Sequence, residues 1–107
     1  MSKQICFEYE GKEYKLEYTL RTAGQANEDG FVLDQLGDKV ALMLPKLVFW
    51  AFARHHRGIT RQQTDTIYKW IKDKNGFITA LADMYAEACN SLVDDEDEKG
   101  NANWTLA

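Results

Sequence analysis

His55 and His56 are adjacent, and they are the only histidines in this chain of 107 residues. Neighbouring residues on a helix point about 100° apart, so the two imidazoles cannot close on one metal ion as an i, i+4 pair would. A structural or dipole-complementing role at a helix end fits them better. The two cysteines, Cys6 and Cys89, lie far apart and lack CxxC or Cys/His ligand spacing, which favours reduced thiols over a zinc site or a disulfide-built fold. Cys6 falls on an expected strand and Cys89 on an amphipathic helix, neither beside cations that would stabilise a thiolate. The glycines stand singly at expected turns, with no Walker-type or GxGxxG loop. The residues therefore read as a non-enzymatic protein without metal or cofactor.

Charge is the next source of chemistry. Residues 1–93 hold twelve acidic and twelve basic side chains, whereas residues 94–107 hold five acids (Asp94, Asp95, Glu96, Asp97 and Glu98) against Lys99. The formal charge of −4 thus belongs to the C-terminal segment. A neutral body with an acidic tail has no field to collect phosphates, so nucleic acid is a poor partner. Arg61, Gln62 and Gln63 at a helix start could be base readers of a helical DNA-binding regulator, but a capped amphipathic helix has the same look. The acidic run reads as a solubilising tail or as a dock for a basic partner.

The elements that position these groups are set by apolar patterning. Val40 to Ala53 (VALMLPKLVFWAFA) is apolar at twelve of fourteen positions. A helix apolar on nearly every side must be covered on every side, by the chain itself or by another one. It is too short to span a membrane, which needs about 20 apolar residues. Within it Leu47, Phe49, Trp50 and Phe52 are the candidate partner-binding residues, although for the three aromatics core packing is the first reading and partner contact the sharper alternative. The N-terminal residues MSKQICFEYE lack the apolar core of a signal peptide, so a cytoplasmic protein is expected.

Before that helix, Ile5, Phe7, Tyr9 and then Tyr14, Leu16, Tyr18 alternate about Glu10-Gly11-Lys12, the pattern of a β-hairpin over residues 4–19. Glu8, Glu13, Lys15 and Glu17 form its polar face. Residues 20–29 predict a short helix with Thr22 as N-cap and Gly30 as its left-handed stop. Gly37-Asp38 signals the start of the apolar helix, Pro45 a kink or restart, and Arg54 to Arg57 (RHHR) with Gly58 its last turn and close. Thr60 and Gln63 have capping-box spacing, with Ile59 as staple, for the next helix. Asn75-Gly76 predicts a break, and a final helix follows over residues 77–93. The fold expected is α+β: an N-terminal β-hairpin, a bundle of about four helices making one domain over residues 1–93, and an acidic tail over 94–107.

The blocks YEGKEYKLEYTLRT, GFVLDQLGDK, LPKLVFWAFARHHRGI and LADMYAEACNSLVDD, in this order, resemble the tail assembly chaperones encoded in the tail-gene clusters of long-tailed bacteriophages and prophages. GFVLDQLGDK with the proline helix, and AFARHHRGIT, carry most of the likeness. The resemblance implies a protein that associates with the helical tape-measure protein, keeps it soluble and helps recruit tail-tube protein around it. It also implies residence in the cytoplasm of the bacterial host, absence from the finished virion, and an occasional longer frameshifted form. A homo-oligomer is compatible with it. A structural tail-completion or connector protein retained in the virion is the competing expectation.

Overall fold

The structure is a computed structural model describing residues 4–90. It opens with a two-stranded antiparallel sheet, β1 (Ile5–Tyr9) and β2 (Lys12–Leu16). Four helices follow: α1 (Leu20–Glu28), α2 (Val40–Ala53), α3 (Arg61–Trp70) and α4 (Lys74–Asn90), with a short 3-10 turn at Leu33–Gln35 before α2. The expected α+β class, hairpin first and four helices after it, is what the chain forms.

The hairpin register pairs Ile5 with Leu16, Phe7 with Tyr14 and Tyr9 with Lys12. Glu10 and Gly11 at its tip both have positive φ, 51° and 79°, which matches the right-handed twist of the strands and suits glycine. A two-stranded hairpin is marginal by itself, and here α2 completes it. Phe7 and Tyr14 set their rings edge-on to Phe52 at 6.2 and 5.7 Å. The open edge of the second strand is closed as well: Glu17 N–H donates to the Ala51 carbonyl and Lys15 N–H to His56 Nε2, each at 3.1 Å. The strand stops at Leu16 rather than continuing to residue 19. Glu17 leaves the polar face for a buried place, and Tyr18, equally buried, donates its hydroxyl to the Leu47 carbonyl.

α2 lies at the centre and packs against β2, α1, α3 and α4. Leu47, Val48, Ala51 and Phe52 are its most deeply buried residues, joined in the core by Leu16, Phe31, Ile67 and Leu81 among others. Pro45 neither starts nor ends the helix, which runs through it. Proline removes the N–H that would bind the Ala41 carbonyl, and Ala41 is exposed, so water can take that acceptor.

Several boundaries depart from the sequence expectations. Thr19, not Thr22, caps α1; Thr22 is the third residue of the helix, and its side chain returns the bond to complete a capping box. Lys39 rather than Asp38 precedes α2, with no side-chain cap. α2 ends at Ala53, so Arg54 to Arg57 form the turn beyond the helix instead of its last turn. Gly30 and Gly58 do take positive φ, 102° and 83°, and the Thr60–Gln63 capping box forms at the start of α3.

The largest shift concerns α4, which begins at Lys74, so that Asn75-Gly76 lie inside its first turn. The break falls at residues 71–73, where Asp73 adopts φ 52° and accepts from Gly76 N–H at 3.2 Å. A Cβ at position 76 would sit 2.4 Å from Asp73 Oδ2. Glycine lets the Asp73 carboxylate lie close over the first turn, and a larger residue would push that carboxylate aside; it does not break the helix. Lys74 turns back to donate to the carbonyls of Lys69 and Ile71 at the end of α3, where a cation complements the helix dipole.

Candidate functional site

The four apolar candidates on α2 separate cleanly. Leu47 and Phe52 are 0% exposed and committed to the core, which leaves them nothing to offer a partner in this conformation. Phe49 and Trp50 are half-buried and pack edge to face at 4.9 Å. Their outer sides are dressed with polar groups. Trp50 Nε1 donates to Asp29 Oδ2 at 3.1 Å, and Arg61 donates to the same oxygen at 2.6 Å while its guanidinium lies 4.5 Å over the Phe49 ring. Lys46 stands 3.9 Å from the other oxygen.

Asp29, the residue following α1, thereby ties three helices together. Burial alone would raise its carboxyl pKa, but the bonds from Trp50 and Arg61, with the charges of Arg61 and Lys46, outweigh it and hold the group below the ordinary carboxylate value. On the other side of Trp50 a groove of about 610 Å³ opens between α1 and the turn after α2, lined by Arg21, Gln25, Trp50, Arg54 and Arg57 with neighbouring small side chains.

The histidines act as fasteners for the hairpin. His55 Nε2 lies 2.7 Å from Glu17 Oε1, which also accepts from Gln4 at 3.1 Å. His56 accepts the Lys15 N–H on Nε2, so that nitrogen is unprotonated. Burial, then the charges of Lys12 and His55, lower the His56 pKa and favour this neutral form. Cys6 is exposed and shares a cavity of about 280 Å³ with both imidazoles, but each imidazole already uses Nε2 to hold the fold. No group of three or more His, Cys, Asp or Glu among the described residues could hold a metal ion. Of the three residues at the start of α3, Arg61 is engaged by Asp29 and Gln63 by the capping box. Asp94, Asp95, Glu96, Asp97 and Glu98 lie outside the described residues.

Sequence reading missed where the uncovered apolar surface is. Val40 and Leu42 at the start of α2 are 50% and 55% exposed, Val32 43%, and Trp70 at the end of α3 54%. Val32 sits beside the α2 start, its N–H 3.3 Å from Met43 Sδ. Trp70 meets the hairpin instead, 5.0 Å from the Tyr9 ring. Among the described residues no helix is long and apolar enough to cross a membrane.

A hairpin with four helices, an incompletely covered apolar helix and a cationic groove define an α+β domain. The chain belongs to the family described as domain of unknown function DUF5055, whose profile matches residues 1–107. No curated protein and no solved structure matches it.

Proposed function

We propose that this chain is a tail assembly chaperone of a long-tailed phage or prophage, a non-enzymatic protein that binds the tape-measure protein and helps recruit tail-tube subunits. It would act in the host cytoplasm and be absent from the mature virion. The observation that carries this reading is the open start of the apolar helix, where Val40, Leu42 and neighbouring Val32 face solvent. A tape-measure chain exposes apolar helical surface until the tube encloses it, and an uncovered apolar helix end is a chemical match for it. The likeness of GFVLDQLGDK and the proline helix to tail assembly chaperones points the same way, and both segments meet at this end of α2.

The test is co-expression with the neighbouring tape-measure gene. A rise in tape-measure solubility and a co-purifying complex are expected, and the loss of both in Leu42→Asp. Failure of the native chain on both counts overturns the proposal. Mass spectrometry of purified virions separates the chaperone from a tail-completion or connector protein, since the chaperone is expected to be missing from the particle.

A further inference from the structure

The cationic groove beside Trp50 has no role in that reading. Arg21 and Gln25 reach it from successive turns of α1, Arg54 and Arg57 from the turn after α2, and none of its lining residues is acidic. The ion pairs among the described residues use Lys46, Arg61 and His55, not these three arginines. Asp29, across Trp50, is already engaged by Arg61 and Lys46. Three guanidinium groups gathered without a carboxylate repel one another and favour a multivalent anion, which each can grip in a two-pronged fashion.

The chain carries such an anion. Asp94, Asp95, Glu96, Asp97 and Glu98 are consecutive, and residues 1–93 are otherwise neutral. α4, which leads toward that run, packs against the segment that enters the groove. Tyr85 of α4 stacks edge-on against Tyr18 at 5.5 Å. α4 ends at Asn90, and Tyr18 leads directly into Thr19 and Arg21 at the rim of the groove. The acids lie four to eight residues past Asn90, about 14 to 27 Å of extended chain at roughly 3.4 Å per residue.

We propose that the acidic run Asp94 to Glu98 docks in the arginine groove of its own chain, formed by Arg21, Arg54 and Arg57 beside Trp50. Docked there, the run more than offsets the three positive charges of the groove and occupies it until a more strongly anionic partner displaces it.

The full chain tests this by NMR. In one variant the run is neutralised (Asp94→Asn, Asp95→Asn, Glu96→Gln, Asp97→Asn, Glu98→Gln). Backbone and guanidinium signals of Arg21, Arg54 and Arg57 are expected to shift, while those of Thr79 and Asp83 on α4 stay. Raising salt from about 0.1 M to about 1 M, which shortens the screening length from about 10 Å to about 3 Å, should move the native chain toward the same spectrum. Arg54→Gln with Arg57→Gln should in turn shift the amides of residues 94–98. Groove signals unmoved by neutralisation and by salt overturn the proposal. Shifts that grow with protein concentration also overturn it, assigning the groove to the tail of a second copy.

Discussion

Toward its C-terminal end α2 sends Leu47, Val48, Ala51 and Phe52 into the core, while at its N-terminal end Val40, Ala41 and Leu42 remain open to solvent and Met43 is the buried residue. The two ends are equally apolar in sequence. They differ in what converges on them: the hairpin rings reach Phe52, and the strand edge is bonded to Ala51, whereas the 3-10 turn at Leu33–Gln35 lies before the other end. Apolar composition therefore states how much cover a helix wants, and topology decides where it gets it. The demand left unfilled at one end of an otherwise satisfied helix is the feature on which the proposed function rests.

The contrast is broken most directly by truncating each end. Phe52→Ala is expected to cost about 3–5 kcal/mol and Leu47→Ala about 2–5, because each deletes fully buried atoms and leaves a cavity. Leu42→Ala, at an exposed position, is expected to stay within about 0.5 kcal/mol. Urea unfolding of the three variants reads the difference. Equal losses for Leu47→Ala and Leu42→Ala would mean that the two ends are packed alike.

Asp29→Ala comes next in size, at about 2 kcal/mol, since it strips a charged hydrogen-bond acceptor from both Trp50 and Arg61. The pH dependence has a definite sign. Asp29 titrates lower in the folded protein than the ordinary carboxylate, so the unfolded chain binds its proton first. Its contribution is present above the unfolded value of about 3.9 and is lost as pH falls through the folded one. The stability gap between native chain and Asp29→Asn should accordingly close in acid; a gap that persists there would show that packing, not charge, holds the three helices.

How far sequence alone reached is clear from individual residues. The hairpin was legible because alternation survives in a strand with one buried face, and α3 because its capping box is a local signal. Thr22 was mistaken for a cap because Thr19 and Thr22 bond reciprocally, and either could begin the helix. Asn75-Gly76 imitated a break because the turn falls just before it, where Asp73 takes the Gly76 N–H, a contact that composition does not display. Phe52 and Trp50 carry the same aromatic signal, yet one is enclosed and the other is shared between Asp29 and a groove. That groove was out of reach, since Arg21 and Arg54 belong to different elements and meet only after α1 folds against α2.

A smaller effect tests the closed edge of the hairpin. His56 Nε2 must be unprotonated to accept the Lys15 N–H, and its pKa is lowered in the fold. The unfolded chain therefore takes up this proton first, and stability present above about 6.5 is lost as pH falls through the lower folded value. His56→Gln keeps an acceptor but no titration, so the part of the stability loss seen between neutral and mildly acid pH that belongs to this site should disappear. An unchanged profile in the variant would assign that slope to other groups.

The smallest stability effect is the one that tests the proposed function. Leu42→Asp places a charge on a side chain already 55% exposed, where the fold provides no apolar cover for it to disturb, so urea unfolding should move by no more than about 0.5 kcal/mol. A partner that lays an apolar helix against this end must instead desolvate the new carboxylate with nothing to pair it, a penalty of several kcal/mol in a dry interface. Under the proposed function, capture of the tape-measure chain should then fail while the protein itself stays folded. The same substitution made at Leu47 would unfold the domain and abolish capture for a trivial reason, so the pair of variants separates a surface that binds from a core that merely holds. Undiminished capture by Leu42→Asp would move the binding face away from the open end of α2, with exposed Trp70 at the end of α3 as the next candidate.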